Sequence, residues 1–426
     1  MMRVGFGVTA LCKGLAGGGS DGIGNYTLEM LRQLGTCDEL SLVPYAFGQP
    51  VATEILRELD RKEVRVMACA SAERTAIEHS SGFSTVRHSN APEREANRIA
   101  ANSADGLDIS LGRYPLNAAW SAATSFNFFG IDRLNQKVDL IHATDHYVPK
   151  CSPVPLVATL MDAIPLSHPH WSRGKYRGLK NALWVRAANW ADQIITISEY
   201  SKLELAKWTR ISANKISVIP LGVDKRWFRE VPAAEFAQVR ARYALPERFF
   251  ISVGTLQPRK NIDGAILAHR LMPLAERQRV PLVIVGRAGW KCEAVLKMID
   301  EDTSSGAVRW LQHVPEADLL AVMKSASALV FASLAEGFGL PVLEAFAAQV
   351  PVVTSNTTSL PEVTGDAALT VNPLDIAALG AAMTRVISDK ALTTDLKQRG
   401  LLRAKSFNWQ ACAAATVGVY KKVLAQ

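Results

Sequence analysis

Short apolar runs, each followed by a turn and then a helix-patterned stretch, recur along almost the entire chain and leave little freedom of fold. Residues 3–11 read as a first strand, the Gly-rich stretch 14–24 as its loop, and 25–34 as the helix that follows. Residues 138–143, 156–160, 193–198 and 215–220 continue the series as buried strands. After Pro220-Leu-Gly-Val-Asp224 and a charged helix at 233–243, Pro246 opens a second series. Its strands are expected at 249–253, 282–285, 308–311, 328–332, 352–355 and 368–371. Runs that are apolar throughout, instead of alternating, belong to strands covered on both faces, and strands that alternate with helices form parallel sheets. Two such series predict an α/β chain of two doubly wound domains with a cleft between them, divided as residues 1–224 and 225–406. Residues 73–112 carry no regular pattern and receive no assignment.

Composition supports folded domains. The chain has 426 residues, 48% apolar and 21% charged, enough to fill more than one core. No apolar run approaches the roughly 18 residues that a membrane-spanning helix requires, and the start resembles a strand running into a Gly-rich loop rather than a leader with a cleavage site. Cysteines 12, 37, 69, 151, 292 and 412 show no paired metal-type spacing, so reduced thiols and a cytoplasmic location are expected. A net charge of +8 and a pI near 9.2 admit nucleic acid, an anionic membrane surface or acidic small molecules as partners. No nucleic-acid module is present, and that partner is not expected. Arg173, Lys175, Arg177, Lys180 and Arg186, interleaved with Trp171, Tyr176, Leu179, Leu183 and Trp184, give a basic amphipathic helix. It suits either an anionic membrane face or a solvated helix whose aromatics face the core.

The chemistry concentrates in Glu336-Gly-Phe-Gly-Leu-Pro-Val-Leu-Glu344, which follows the apolar run 328–332. Gly337 and Gly339 allow close approach of backbone to a ligand, and Pro341 suits the first turn of a helix. The N–H groups of Leu340, Val342 and Leu343 are then expected to face an anion at the helix N-terminus. Glu344 would accept hydrogen bonds from a diol such as ribose, and Glu336 would reach hydroxyls beyond the phosphates. The same pattern also occurs in ordinary crossover turns. A second segment agrees with the functional reading: Val253-Gly-Thr-Leu-Gln-Pro-Arg259-Lys260-Asn261 places two adjacent cations at the end of another strand. Ligands of open α/β sheets bind at that edge, and an Arg fork beside a Lys charge would neutralise a diphosphate. Asp300-Glu-Asp302 has the look of a metal-holding triplet, but it closes a helical pattern at 293–299 and is expected to be a solvated end. His142 and His146, flanking Asp145, follow the strand at 138–141 and are candidates for acceptor-side chemistry. Gly22, Gly24 and Asn25 are expected to approach the ligand from the first domain; the run Gly17-Gly-Gly19 lends that loop mobility.

With these residues in view, the chain resembles the retaining, metal-independent GT-B glycosyltransferases of family 4, a group with many bacterial surface-polysaccharide enzymes. The resemblance runs through Gly22-Ile-Gly-Asn-Tyr-Thr27, Ile197-Ser-Glu-Tyr-Ser201, the segment ending at Asp224, residues 253–261, residues 336–344 and Leu360-Pro-Glu-Val-Thr-Gly-Asp-Ala-Ala368. It implies that Arg259 and Lys260 hold the donor diphosphate, that Glu336 contacts the donor sugar, and that the amides of Gly337, Phe338, Gly339 and Leu340 help hold sugar and phosphate. Glu344 would hold the ribose. Residues 407–426 resemble the family's ending, a helix that packs back on the first domain.

Front-side attack by the acceptor hydroxyl is implied, since no carboxylate stands out as a nucleophile, and neither metal nor other cofactor is expected. Where relatives carry a His-Asp pair this chain has Met161-Asp162, which leaves Asp162 to orient or deprotonate the acceptor. Gln349 stands where relatives have a glycine after the helix, and a left-handed Gln would cost stability. The expected reaction moves a hexose, mannose-like by resemblance and so from GDP-mannose before UDP donors, to a saccharide or polyprenyl-diphosphate-linked saccharide. The enzyme would work in the cytoplasm, peripheral to the inner membrane face. A nucleotide-sugar epimerase and a non-catalytic nucleotide- or polysaccharide-binding module are the alternatives.

Overall fold

The computed structural model describes residues 1–16, 22–47, 109–111, 114–124, 126–172 and 176–426. The run at 17–19, Arg173, Lys175 and all of 73–112 except 109–111 lie outside the described residues. The chain divides into two compact units: Met1–Leu160 with Ala182–Ile195 and Ala413–Gln426, and Met161–Asn181 with Thr196–Cys412.

In the first unit, strands β1 (Met2–Gly7), β2 (Leu40–Phe47), β3 (Ile109–Leu111), β4 (Leu140–Ala143), β5 (Leu156–Thr159) and β6 (Gln193–Thr196) form a parallel array ordered β3-β2-β1-β4-β5-β6. The order reverses between β1 and β4, so the loops that leave those two strands diverge and open a crevice at their carboxyl ends. β2 escaped the sequence reading because Pro44 interrupts it, and a proline inside an apolar run argues against an interior strand. Here Pro44 pairs in register with Phe6, and the run Leu40–Phe47 is buried along nearly its whole length. The expected first strand is also shorter than its apolar pattern. It stops at Gly7, and Thr9–Ala16 is a helix where strand end and loop were expected, with Thr9, Leu11 and Cys12 buried. The next helix, Gly22–Gly35, begins three residues before the position expected and takes Gly22, Gly24 and Asn25 into its first turn.

A short strand β7 (Ile216–Val218) precedes the second sheet. That sheet is parallel and contains β8 (Phe250–Val253), β9 (Leu282–Val285), β10 (Val308–Leu311), β11 (Ala328–Phe331), β12 (Val352–Ser355) and β13 (Leu369–Val371), ordered β10-β9-β8-β11-β12-β13. Its reversal lies between β8 and β11, the two strands whose trailing loops carry the Arg-Lys pair and the glutamate loop. Their adjacency, Ala328 beside Phe250 and Leu329 beside Ile251, brings those loops together. The core under this edge joins Phe250, Ile284, Val330 and Val353 of the strands to Ile266 and Met383 of the flanking helices.

Asp302 is not the solvated helix end expected. It is buried and accepts hydrogen bonds from Arg270 Nε at 2.7 Å and Arg277 Nη1 at 3.2 Å, which makes it an anchor between helices. Gln349 does take the left-handed conformation, at φ 59°, and the N–H of Val350 returns to the carbonyl of Ala345 to close the helix. Tyr176 and Leu179, expected on an amphipathic basic helix, are exposed at the start of helix Arg177–Ala188. Among the described residues no helix is long and apolar enough to cross a membrane.

Candidate functional site

The sequence makes the second unit's loop in stages. β11 ends at Phe331, and residues 332–339 pass over the sheet edge before the helix Leu340–Ala347. Gly339 turns the chain at φ 118°, a conformation that L side chains rarely adopt. The carbonyls of the loop are pulled away from its open side by hydroxyl groups. Ser198 Oγ and Ser201 Oγ donate to Gly337 O at 2.8 and 3.2 Å, and Ser359 Oγ donates to Glu336 O at 2.8 Å and Phe338 O at 3.0 Å. Among the described residues no protein acceptor takes the N–H of Gly337, Phe338, Gly339 or Leu340. Successive peptide N–H groups left open at a helix start form an anion-binding concavity. Val342 departs from expectation: its N–H is already donated to Gly339 O at 3.0 Å, because the first turn tightens around Pro341.

The cations stand beside that concavity. Pro258–Lys260 is a short 3-10 turn, and Asn261 follows at φ 53° with its side-chain amide donating to Ala332 O and Pro373 O, both at 2.9 Å. Leu334 N–H donates to Arg259 O at 2.8 Å, so the two loops are tied backbone to backbone. Glu336 is not poised toward open space. Its carboxylate takes Arg259 Nη1 at 2.6 Å and Lys260 Nζ at 2.7 Å, with only 8% of the Glu336 side chain exposed. Burial alone would raise its pKa, but the two cations overcome that and pull it down to about 2. Burial lowers the Lys260 pKa, with Glu336 opposing the shift.

Asp162 belongs to the same unit and the same cluster. Its Oδ1 accepts from Ile164 N–H at 2.9 Å, and Gly337 has no room for a Cβ because the Asp162 carboxyl would lie 2.9 Å from it. Burial and the Glu336 charge raise the Asp162 pKa, while Arg259 opposes them. Glu344 sits one turn into the helix in an enclosed setting with Arg226, Glu316 and Asp224 as charged neighbours; burial first, then the two acidic neighbours, raise its pKa to about 7. Arg226 Nη1 donates to Glu316 at 2.7 Å.

In the first unit the picture differs. His142 is fully buried in β4, its Nδ1 2.7 Å from Tyr420 OH and its Nε2 2.8 Å from Thr159 Oγ1, and Thr159 also meets Tyr26 OH at 3.0 Å. Burial drops its pKa to about 3, so it is a neutral core histidine and the acceptor role expected of it is withdrawn. His146 is exposed, with its ring 4.3 Å from that of Tyr147. Asp145 is buried and accepts from Tyr147 N–H at 2.7 Å. Gly24 is buried, Asn25 half-buried and Gly22 exposed.

Ser198, Ser359 and Arg226 carry structural weight that the sequence did not assign. The signal for Ser198 was present: it caps the helix Glu199–Thr209 by accepting from Ser201 N–H, and Glu362 adds its carboxylate to the N–H groups of Glu199 and Tyr200 at 2.8 and 2.7 Å.

Comparison with known proteins gives this arrangement a family. Residues 236–403 match the domain described as Glycosyl transferases group 1, and residues 49–227 match Glycosyltransferase Family 4. A glycogen synthase of Mycobacterium tuberculosis is 30% identical over 304 residues, covering 68% of this chain and 70% of that protein. The chain belongs to the GT-B glycosyltransferases. An O-antigen chain mannosyltransferase B of Escherichia coli is 37% identical over 232 residues, and this match spans 54% of the chain and 61% of the relative. Among solved structures, Anabaena HepE in complex with UDP and glucose superposes with a TM-score of 0.67 at 16% identity, covering 99% of this chain and all of that one, a likeness of fold. The two parallel, doubly wound sheets of this GT-B glycosyltransferase are those expected from the alternation of its strands and helices.

Proposed function

We propose that this GT-B chain transfers a hexose, with mannose favoured, from a nucleotide-diphosphate sugar to a saccharide or lipid-linked saccharide acceptor of a surface polysaccharide, with retention at the anomeric carbon. The observation that carries the reading is the row of open N–H groups at 337–340 beside Arg259 and Lys260, a built seat for a diphosphate. The mannosyltransferase name of the Escherichia coli relative supports the sugar and the O-antigen context.

In this reading the diphosphate takes hydrogen bonds from Arg259, Lys260 and the amides of Gly337, Phe338, Gly339 and Leu340. Glu344 accepts from the ribose hydroxyls, and Glu336, released from the cations, accepts from the sugar. The bond from the anomeric carbon to the diphosphate oxygen breaks as the acceptor oxygen approaches on the same face. The acceptor's proton passes to the departing phosphate oxygen, and the new glycosidic bond forms with retained configuration. Arg259, Lys260 and the amides stabilise the charge that builds on the leaving group, which is where fixed donors lower a barrier most. This route calls on no metal or other cofactor. Work at an anionic inner membrane face, with a polyprenyl-diphosphate-linked acceptor, fits the basic charge of the chain.

The test is a set of incubations with labelled GDP-mannose, UDP-glucose and related donors, with and without a lipid-linked saccharide extract, followed by NMR of the product linkage. Sugar transfer from GDP-mannose with an α-linked product is expected. Conversion of the donor sugar without an acceptor, or an inverted linkage, refutes the reading.

A further inference from the structure

Asp162 enters the cluster beside Gly337 on a segment that lies far from that glycine in sequence and groups with it in the second unit. Two short helical turns continue the segment, Ile164–Ser167 and Pro169–Trp171, each too brief to hold its shape alone. Hydrogen bonds pass along them in steps. Ile164 N–H donates to Asp162 Oδ1 at 2.9 Å, His168 N–H to Ile164 O at 2.8 Å, and Trp171 N–H to His168 O at 3.0 Å. The His168 and Trp171 rings stack with centres 4.1 Å apart and planes 7° from parallel. The far end of the segment is fastened from the loop after β9. Trp290 Nε1 donates to Trp171 O at 2.7 Å, and Lys291, at φ 53°, donates from Nζ to His170 O at 3.0 Å.

That loop is bound in turn to the strand end that leads to the cations. Leu256 N–H donates to Arg287 O at 2.9 Å, and Gly289 N–H donates to Leu256 O at 3.0 Å. A Cβ on Gly286 or Gly289 would collide with the carbonyl of Gly254 or of Leu256, so the two loops meet backbone to backbone. Arg259 and Lys260 follow Leu256 within the same short loop. A continuous hydrogen-bonded path therefore runs from the loop of the two cations, through Trp290, to Asp162.

We propose that Trp290 is a positioning residue: its indole N–H, with the Lys291 ammonium as a second tie, latches residues 162–171 so that the Asp162 carboxyl is held in place beside the anion loop. What Asp162 does there rests on the transferase reading above; the latch itself does not. Both ties end on main-chain carbonyls, so they fix the path of the backbone that carries Asp162. Thr196 Oγ1 and Asn181 Nδ2 donate to the carbonyls of Met161 and Pro165 at 3.3 and 2.7 Å and support the near end of the segment. Trp290 and Lys291 support the far end. With the near-end supports intact, loss of the indole donor shifts the segment without unfolding it.

Trp290→Phe keeps an aromatic ring and removes the donor. Hydrogen–deuterium exchange on the full chain, read by mass spectrometry, measures the latch with no substrate present. Peptides spanning 162–171 should exchange about five- to tenfold faster in the variant, the scale of one lost hydrogen bond, while those of the helix Leu340–Ala347 keep their rate. Lys291→Met should speed the same peptides by a smaller factor, and calorimetric titration of Trp290→Phe with GDP should give the wild-type affinity. Kinetics then read what the position is for. The kcat of sugar transfer should fall about tenfold in Trp290→Phe, whereas in an Asp162→Ala background the same change should cost less than about twofold, because a residue that acts through Asp162 has nothing left to act on. Wild-type exchange across 162–171 in Trp290→Phe overturns the latch, and so does weaker GDP binding without faster exchange, which would make Trp290 a contact of the nucleotide. An equal loss of kcat in both backgrounds overturns the positioning role. A wild type that transfers no sugar counts against the transferase reading alone, since the exchange rates decide the latch without it.

Discussion

Glu336 occupies the donors that the proposed diphosphate needs, and Glu336→Gln exposes the consequence. The carboxylate holds Arg259 at 2.6 Å and Lys260 at 2.7 Å, with 23% and 11% of those side chains exposed. Removing one partner of a buried ion pair costs about 3–5 kcal/mol, because the remaining charges lose their compensation. Gln retains an acceptor oxygen, so the lower end, about 3 kcal/mol, is the working figure. At roughly 2–4 °C per kcal/mol for a domain of this size, the second unit should melt about 6–12 °C lower. Lys260 softens part of that loss. Burial already lowers its pKa, Glu336 is the largest force opposing the shift, and without Glu336 the amine sheds its proton more readily.

Nucleotide binding should move in the other direction. Wild type must break two short ion pairs before the diphosphate can take their donors, whereas Glu336→Gln presents them with a neutral competitor. GDP should bind the variant about tenfold more tightly, a gain of about 1.4 kcal/mol, and should restore more of its melting temperature than it adds to wild type. Sugar transfer should nevertheless fall, since the carboxylate assigned to the sugar is gone. Differential scanning fluorimetry with and without GDP, together with calorimetric titration, reads both signs. An unchanged melting temperature with unchanged or weaker GDP binding would refute the competition argument.

Lys260→Ala should reduce transfer about 100- to 1,000-fold with circular dichroism preserved; undiminished turnover would remove Lys260 from the leaving-group role. Glu344, with its pKa raised to about 7, holds its proton more tightly in the folded protein than in the unfolded chain. Ligand-free stability should therefore decline as pH rises from the ordinary carboxylate range to about 7, and affinity for intact GDP-mannose should climb over the same window, about tenfold per pH unit. Glu344→Gln should flatten both profiles, and a wild-type slope that persists in the variant assigns the titration elsewhere. Asp162→Asn should retain most activity where Asp162→Ala loses it; equal loss in both would make Asp162 the base.

The second sheet was legible because its strands are uninterrupted apolar runs separated by helices, a pattern set by local chemistry. β2 was hidden by Pro44, whose cost as an interior residue is a tertiary matter. His142 shows a different limit. A histidine near a strand's carboxyl end can point to the ligand edge or into the core, and only packing decides; here Thr159 and Tyr420, the latter 278 residues away in sequence, solvate it. The candidate cations were visible as a pair. That Glu336 would neutralise them was not, since the contact depends on the side-by-side pairing of β8 and β11. The hydroxyls that turn the loop carbonyls away, from Ser198, Ser201 and Ser359, act across long stretches of chain and leave no local pattern beyond a helix cap.

Charge balance in the second unit also bears on where the acceptor's proton goes. Arg259 and Lys260 contribute two positive charges and Glu336 one negative, so these three side chains carry a small positive excess. A bound diphosphate reverses that sign. An ionised Asp162 would then add a further negative charge beside Glu336 and the phosphates, in a site where burial and Glu336 already raise its pKa against the pull of Arg259. Burial, Glu336 and the phosphates favour the protonated acid when the donor is bound, while Arg259 and the Ile164 N–H favour the carboxylate. One Asp162 oxygen is held by Ile164 N–H, and the other lies against Gly337, whose missing Cβ is what admits it. In that position Asp162 can orient groups beside the anion loop, and the raised pKa makes its carboxylate a less ready charge there. The departing diphosphate gains negative charge as the sugar leaves, at the moment when the acceptor's proton becomes acidic. In the proposed front-side transfer its oxygen is therefore the group placed to take that proton.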